Sequence, residues 1–311
     1  MSAMPWHAAD WARLRARRQR DALPHALLLC GPAGLGKRAF AQRFVRGLLC
    51  ERAQEGEACG QCRSCLLLGA GTHPDAVALG LGLRKDGTPR NEIVVEQIRD
   101  LSARLAMSSQ FGGWQVALVD PADTMNAAAA NALLKTLEEP AARTLLVLLA
   151  DAPWRLPQTI RSRCQRIEFN LPPPDQALAW LEEQGVAQAR QALEAALGNP
   201  GQALAWAQEG ALERRAEVRR DLAALAAGRG QVAEMARRWL DDEAAQRLWF
   251  AAQAVADERR AQASQAALPL ASAMDGEALA HWYDAANRTR DALRGPLRGD
   301  LLLLELLAQW R

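Results

Sequence analysis

Residues 31–38 read Gly31-Pro32-Ala33-Gly34-Leu35-Gly36-Lys37-Arg38, the spacing of a loop that cradles phosphate. In such a loop the glycines let backbone N–H groups close on the phosphate oxygens. Lys reaches the β/γ oxygens, and a Ser or Thr hydroxyl directly after it holds Mg²⁺. Gly31, Gly34, Gly36 and Lys37 are therefore the candidate nucleotide-binding residues. Arg38 stands where the hydroxyl belongs. A guanidinium offers only donors and a fixed positive charge, so it cannot ligate a cation. The loop is degenerate, and ATP binding in it is expected to be weak or absent.

A second fragment of hydrolytic chemistry lies at Val116-Ala117-Leu118-Val119-Asp120-Pro121. An apolar strand delivers Asp120 where a P-loop ATPase keeps the acid that orients its metal. Hydrolysis also needs a group that positions the attacking water, and ATPases of this layout place a Glu directly after the acid. Here that residue is Pro121, which carries no functional group.

Cys50, Cys59, Cys62 and Cys65 form a C-x8-C-x2-C-x2-C cluster. Zn²⁺ takes four thiolates at about 2.3 Å in a tetrahedron, and the C-x2-C spacing lets a tight turn aim two sulfurs at one point. Gly60 eases such a turn. Four sulfurs leave no open position, so the expected zinc site is structural; four unrelated free cysteines are the alternative. His73 reads as a loop histidine rather than a ligand. Arg13, Arg15, Arg17, Arg18 and Arg20 read as a solvated helix face in preference to a nucleic-acid stripe.

The elements that must position these groups are legible in outline. Ala26 to Cys30 is a short apolar run entering the glycine loop, with a helix at Arg38 to Leu49 behind it. An arginine-rich helix over Asp10 to Asp21 precedes them. Residues 50–65 form a polar, cysteine-bearing excursion, and Gly80 to Asn91 a surface loop. Glu92 to Met107 and Asn126 to Leu137 have helical spacing, whereas Trp114 to Asp120 and Thr144 to Ala150 are strand-like. Strands alternating with helices argue a parallel α/β sheet covered on both faces. After Asn170 the prolines Pro172, Pro173 and Pro174 break the chain, and no strand pattern follows. Short helices run to a turn at Gly198-Asn199-Pro200-Gly201, and helical periodicity continues from Ala211 to the end.

With 311 residues, the chain is expected to hold two or three domains. Thirty-eight basic and 36 acidic residues leave a net charge of +2, which excludes a chain that binds DNA by bulk charge alone. No leader-like segment is recognised at the start. The apolar stretches 144–150 and 301–308 are too short to span a bilayer. A cytoplasmic protein without membrane contact is expected, and in that reducing setting six cysteines suggest metal or chance rather than disulfides.

Asn131-Ala132-Leu133-Leu134-Lys135-Thr136-Leu137-Glu138-Glu139-Pro140, followed by Thr159-Ile160-Arg161-Ser162-Arg163-Cys164, resembles the AAA+ clamp-loader subunits of DNA replication. Leu23-Pro24-His25-Ala26 and the cysteine cluster look the same way. The resemblance has firm motifs over roughly residues 1–205. It implies an AAA+ P-loop α/β domain over 1–168 with a zinc module at 50–65, a helical lid over 169–208 and an all-α collar, the oligomerisation domain, over 209–311.

Bacterial loaders in this family contain ATPase motors (gamma/tau), a clamp-opening delta subunit and a third kind. The Ser-Arg-Cys motif and the cysteines are similar to the motor and the third kind. A motor should also carry a hydroxyl at Arg38, a Glu at Pro121, a polar sensor near Ala150-Asp151 and a lid arginine at Gly201, so the resemblance is to the third, non-hydrolysing kind. It implies that Arg163 acts in trans, as an arginine finger in a neighbour's nucleotide site; such fingers contribute roughly 10³ to 10⁵ in rate. Arg163 serving as a strand-end cap is the structural alternative, and Arg161 is a nearby decoy. The implied partners are the gamma/tau and delta subunits of a hetero-oligomer that loads a sliding clamp on primed DNA within the DNA polymerase III assembly. The rival readings are an ATP-hydrolysing motor, or another P-loop ATPase, with a divergent site, and an autonomous zinc-and-DNA module.

Overall fold

The computed structural model describes residues 4–84, 86–293, 295 and 297–310; the outermost residues of the expected domains, 1–3 and 311, lie outside them. The chain divides into two compact units, Met1–Gly185 with Gly198–Gln202, and Val186–Leu197 with Ala203–Arg311.

The first unit is an α/β layer structure. Its helices are α1 (Ala8–Gln19), α2 (Lys37–Leu49), α3 (Arg63–Gly69), α4 (Val95–Leu105), α5 (Ala127–Glu138), α6 (Gln158–Arg161) and α7 (Pro174–Glu183). Its strands are β1 (Ala26–Cys30), β2 (Ala76–Leu79), β3 (Gln115–Val119), β4 (Thr144–Ala150) and β5 (Gln165–Glu168). They form one parallel sheet in the order β2-β3-β4-β1-β5. Side chains alternate across a strand, and that sorts the core. Ala26, Leu28 and Cys30 of β1 join Leu146, Leu148 and Ala150 of β4 under α4, α5 and α6. Leu27 and Leu29 join Leu145, Val147 and Leu149 under α1 and α2. Each such leucine, fully buried, contributes about 1.5–3 kcal/mol. Continuous apolar runs with both faces covered are what a central parallel strand requires.

β2, Ala76-Val77-Ala78-Leu79, is apolar but only four residues long and partly exposed, and β5 carries no such run. β5 reads Gln165-Arg166-Ile167-Glu168 with only Ile167 buried, because an edge strand pairs on one side and needs few apolar residues. The strand is held instead by register with β1, Leu27 opposite Gln165 through Cys30 opposite Glu168.

The second unit is all-α: α8 (Ala189–Ala195), most of α9 (Pro200–Gln208), α10 (Ala211–Ala226), α11 (Val232–Asp241), α12 (Ala244–Ala263), α13 (Gly276–Ala292) and α14 (Gly299–Ala308). Three tryptophans tie it together. Trp282 Nε1 donates to the Leu306 carbonyl at 3.0 Å, Trp310 Nε1 to the Leu222 carbonyl at 2.8 Å and Trp239 Nε1 to Asp221 at 2.8 Å. The carboxylate of Glu258, fully buried, accepts from the amides of Leu270 and Ser272 and so fixes the loop between α12 and α13. The leucine-rich α14 buries Leu303, Leu306 and Leu307 in its own bundle and leaves Leu301 and Leu304 exposed.

Candidate functional site

Register sets the scene for the glycine loop. Cys30 at the end of β1 lies opposite Ala150 at the end of β4, and Val119 at the end of β3 opposite Leu148. Asp120 and Asp151 therefore emerge beside the loop at the carboxyl edge of the sheet, where ligands of parallel sheets bind. Gly34 and Gly36 take φ values of +85° and +80°, a backbone that only glycine adopts without strain, and Lys37 opens α2.

Lys37 is turned onto the protein itself. Its ammonium, buried to 1% exposure, donates to the carbonyls of Gly31 at 2.5 Å and Pro32 at 2.7 Å and lies 2.6 Å from Asp151 Oδ1; an ammonium has three N–H groups. Arg38 donates from Nε to Asp120 at 2.8 Å and from Nη2 to Asp151 at 3.2 Å. Two cations and two acids thus close on one another. Burial pushes the Asp151 carboxyl up, but hydrogen bonds and charge from Lys37, then from Arg38, hold it below the usual carboxylate range. Burial works against the charge of Arg38 in the same way, and the two acids outweigh it, raising its pKa above the ordinary value.

Two further segments cover the loop. Asn199 Nδ2 donates to the Ala33 carbonyl at 2.7 Å. A Cβ added to Gly201 would fall on the Gly34 carbonyl, so this position has no room even for alanine. On the other side a Cβ on Gly36 would meet Met4 Sδ at 2.5 Å and His7 Cε1 at 3.0 Å. His7 is buried edge-on against Phe169 at 4.6 Å, and burial lowers its pKa to about 4, so it sits there neutral. Met4, His7 and Asn199 were not legible as site residues, because nothing local marks them.

Arg163 follows α6, 37% exposed. Its Nη2 lies 2.6 Å from Glu138 Oε1 and its Nη1 donates to the Thr159 carbonyl at 3.0 Å. The neighbouring Cys164 is buried in the same core as Ile160, Leu133 and Leu137, and burial pushes its thiol up to about 12. It is an anchor rather than a nucleophile.

The four cysteines converge. The sulfurs of Cys50, Cys59, Cys62 and Cys65 all lie within 4.8 Å of one another, with Cys50 and Cys62 at 3.8 Å. A zinc tetrahedron with bonds of about 2.3 Å has sulfurs about 3.8 Å apart, so the donor set fits that ion. Backbone amides of Cys59, Cys62 and Cys65 point at sulfurs of Cys50, Cys59 and Cys62 at 3.3–3.4 Å, and amide hydrogen bonds lower the Cys59 thiol to about 6. Gly60 takes φ +73° in the turn. His73 is not among the four. Its Nδ1 accepts from the Asp75 amide at 3.1 Å, which leaves Nε2 to donate to Ser64 Oγ at 2.8 Å, and Ser64 in turn donates to the Leu49 carbonyl.

The four arginines of α1 have partners in the same unit, two of them at the exposed surface. Arg13 pairs with Asp10, Arg15 with Glu55, Arg17 with Gln165, and Arg18 reaches the Leu48 carbonyl.

A parallel sheet in the order β2-β3-β4-β1-β5 with a glycine loop at its carboxyl edge defines a P-loop α/β protein, here with a four-cysteine module beside it. The family described as DNA polymerase III, delta subunit, matches residues 6–173. The delta' subunit of Pseudomonas aeruginosa DNA polymerase III is 45% identical over 177 residues, 57% of this chain and 52% of that protein. The delta' subunit of Escherichia coli is 40% identical over 181 residues, 58% and 52% of the two chains. The tau subunit of Bacillus subtilis is 34% identical over 145 residues, 47% and 24%. The chain belongs to the family described as DNA polymerase III, delta subunit, and the two relatives at 45% and 40% identity are delta' subunits. Its matches span about half the length of these delta' relatives.

Proposed function

We propose that this chain is a non-hydrolysing subunit of a DNA polymerase III clamp loader, which supplies Arg163 in trans to the nucleotide site of a neighbouring motor subunit. One observation carries the reading: Arg38, at the metal-binding hydroxyl position, bridges Asp120 and Asp151. A guanidinium lodged between the two acids occupies with its own charge the place of a phosphate-bound Mg²⁺. Pro121 supplies nothing to activate water, and Lys37 donates to two carbonyls of the loop and forms an ion pair with Asp151.

The chain then works in a cytoplasmic hetero-oligomer with gamma/tau and delta subunits, loading a sliding clamp on primed DNA. No described helix is long and apolar enough to cross a membrane. The exposed Leu301 and Leu304 of α14 are surface for collar contacts with those subunits. Cys50, Cys59, Cys62 and Cys65 hold one structural zinc, which supplies a rigid crosslink and no reaction step.

The purified chain is expected to release phosphate from ATP no faster than background. Turnover above background that Lys37→Ala abolishes would overturn the reading in favour of a working ATPase. In the reconstituted complex, Arg163→Ala is expected to lower clamp- and DNA-stimulated ATP turnover by at least about tenfold. Undiminished turnover would remove Arg163 from the chemistry.

A further inference from the structure

The geometry points to Glu138 as the positioning residue for Arg163. Arg163 Nη2 lies 2.6 Å from Glu138 Oε1 as an ion pair, and Nη1 donates to the Thr159 carbonyl at 3.0 Å. These are the described partners of the side chain, so among the described residues most of its five N–H groups remain available to an anion. A planar guanidinium gripped by one backbone hydrogen bond and by the charge of a neighbouring carboxylate has fewer orientations open to it than a free one.

Both grips stand on the same rigid base. Glu138 is the last residue of α5 and follows Leu137, while Arg163 precedes Cys164, and Leu137 and Cys164 are buried in one core cluster. α6, whose Thr159 supplies the second grip, is seated in that cluster by Ile160. The two side chains are themselves half-exposed, at 37% and 49%. An ion pair this wet adds little to folding, whereas the orientation it imposes acts directly on a group whose work depends on geometry.

This inference rests on the reading of Arg163 as a residue that acts in trans, and the test separates the two. The reconstituted loader carries this chain as wild type, Glu138→Ala, Glu138→Gln, Arg163→Ala and the Glu138→Ala/Arg163→Ala double variant, and steady-state ATP turnover is measured with clamp and primed DNA. Glu138→Ala is expected to lower kcat about five- to tenfold with KM for ATP unchanged and the chain's thermal midpoint unmoved. Glu138→Gln, which keeps an acceptor at the same reach, recovers part of the loss. In the Arg163→Ala background, Glu138→Ala has no further effect, because nothing remains to be positioned. If Arg163→Ala costs turnover while Glu138→Ala does not, the positioning role alone is overturned. The same holds if Glu138→Ala costs as much with Arg163 absent as with it present. Full turnover by Arg163→Ala overturns the in trans reading and this inference with it.

Discussion

Asp151 is the residue on which the glycine loop closes, since Lys37 and Arg38 both end on its carboxylate at 2.6 and 3.2 Å. Its pKa is depressed in the folded chain, so its stabilisation is complete above the ordinary carboxylate value and is lost as pH falls through the depressed one. Asp151→Asn is expected to destabilise the chain by about 2 kcal/mol at pH 7, the scale of a hydrogen bond to a charged group. Urea midpoints measured from pH 7 down to pH 3 should show the gap to wild type closing at the acid end; a gap independent of pH would assign the effect to something other than the charge. In the sequence Asp151 was visible only as part of a departure from a polar sensor. Its partners stand 114 and 113 residues away, by the numbering of Lys37, Arg38 and Asp151, and only the pairing of β1 with β4 brings them together.

Among the elements, those with their own local signal were the legible ones. β1, β3 and β4 announce themselves as apolar runs, and α5 begins where Asn126 caps it, accepting from the Ala129 amide at 2.9 Å. β5 is polar in three of its four residues and β2 is short, so neither could be separated from loop. The break between α11 and α12 is marked by no glycine or proline; Glu243 makes it by taking φ +51°. The cysteine module is an element held by side chains rather than by a core, and metal binding there is also folding energy. One zinc per chain is expected in the native protein by elemental analysis. Cys62→Ser is expected to abolish it and to raise amide exchange across residues 50–65, and zinc retained in that variant would exclude Cys62 as a ligand.

For the whole molecule, chain order and spatial order part company. Of the segment 169–208, α7 lies with the first unit, while α8 and most of α9 lie with the second. The carbonyl of Ala195 in α8 accepts from Gln253 Nε2 at 2.6 Å and from Trp249 Nε1 at 3.4 Å, both in α12. A fragment ending after residue 208 is therefore expected to expose Ala192, Leu193 and Ala195 and to bind more of an apolar dye than the intact chain. Equal dye binding would show that α8 needs no cover from α12. By itself the amino-acid sequence determined the class of loop, the loss of the hydroxyl at Arg38 and of the Glu at Pro121, the cysteine spacing and the Ser-Arg-Cys motif, because these are statements about residue types at short separations. Only the tertiary structure decided where the charges go: Lys37 and Arg38 to Asp151, Arg38 to Asp120, and Arg163 to Glu138. Charges are neutralised through space, and which acid meets which cation depends on the order and register of strands that local sequence does not encode.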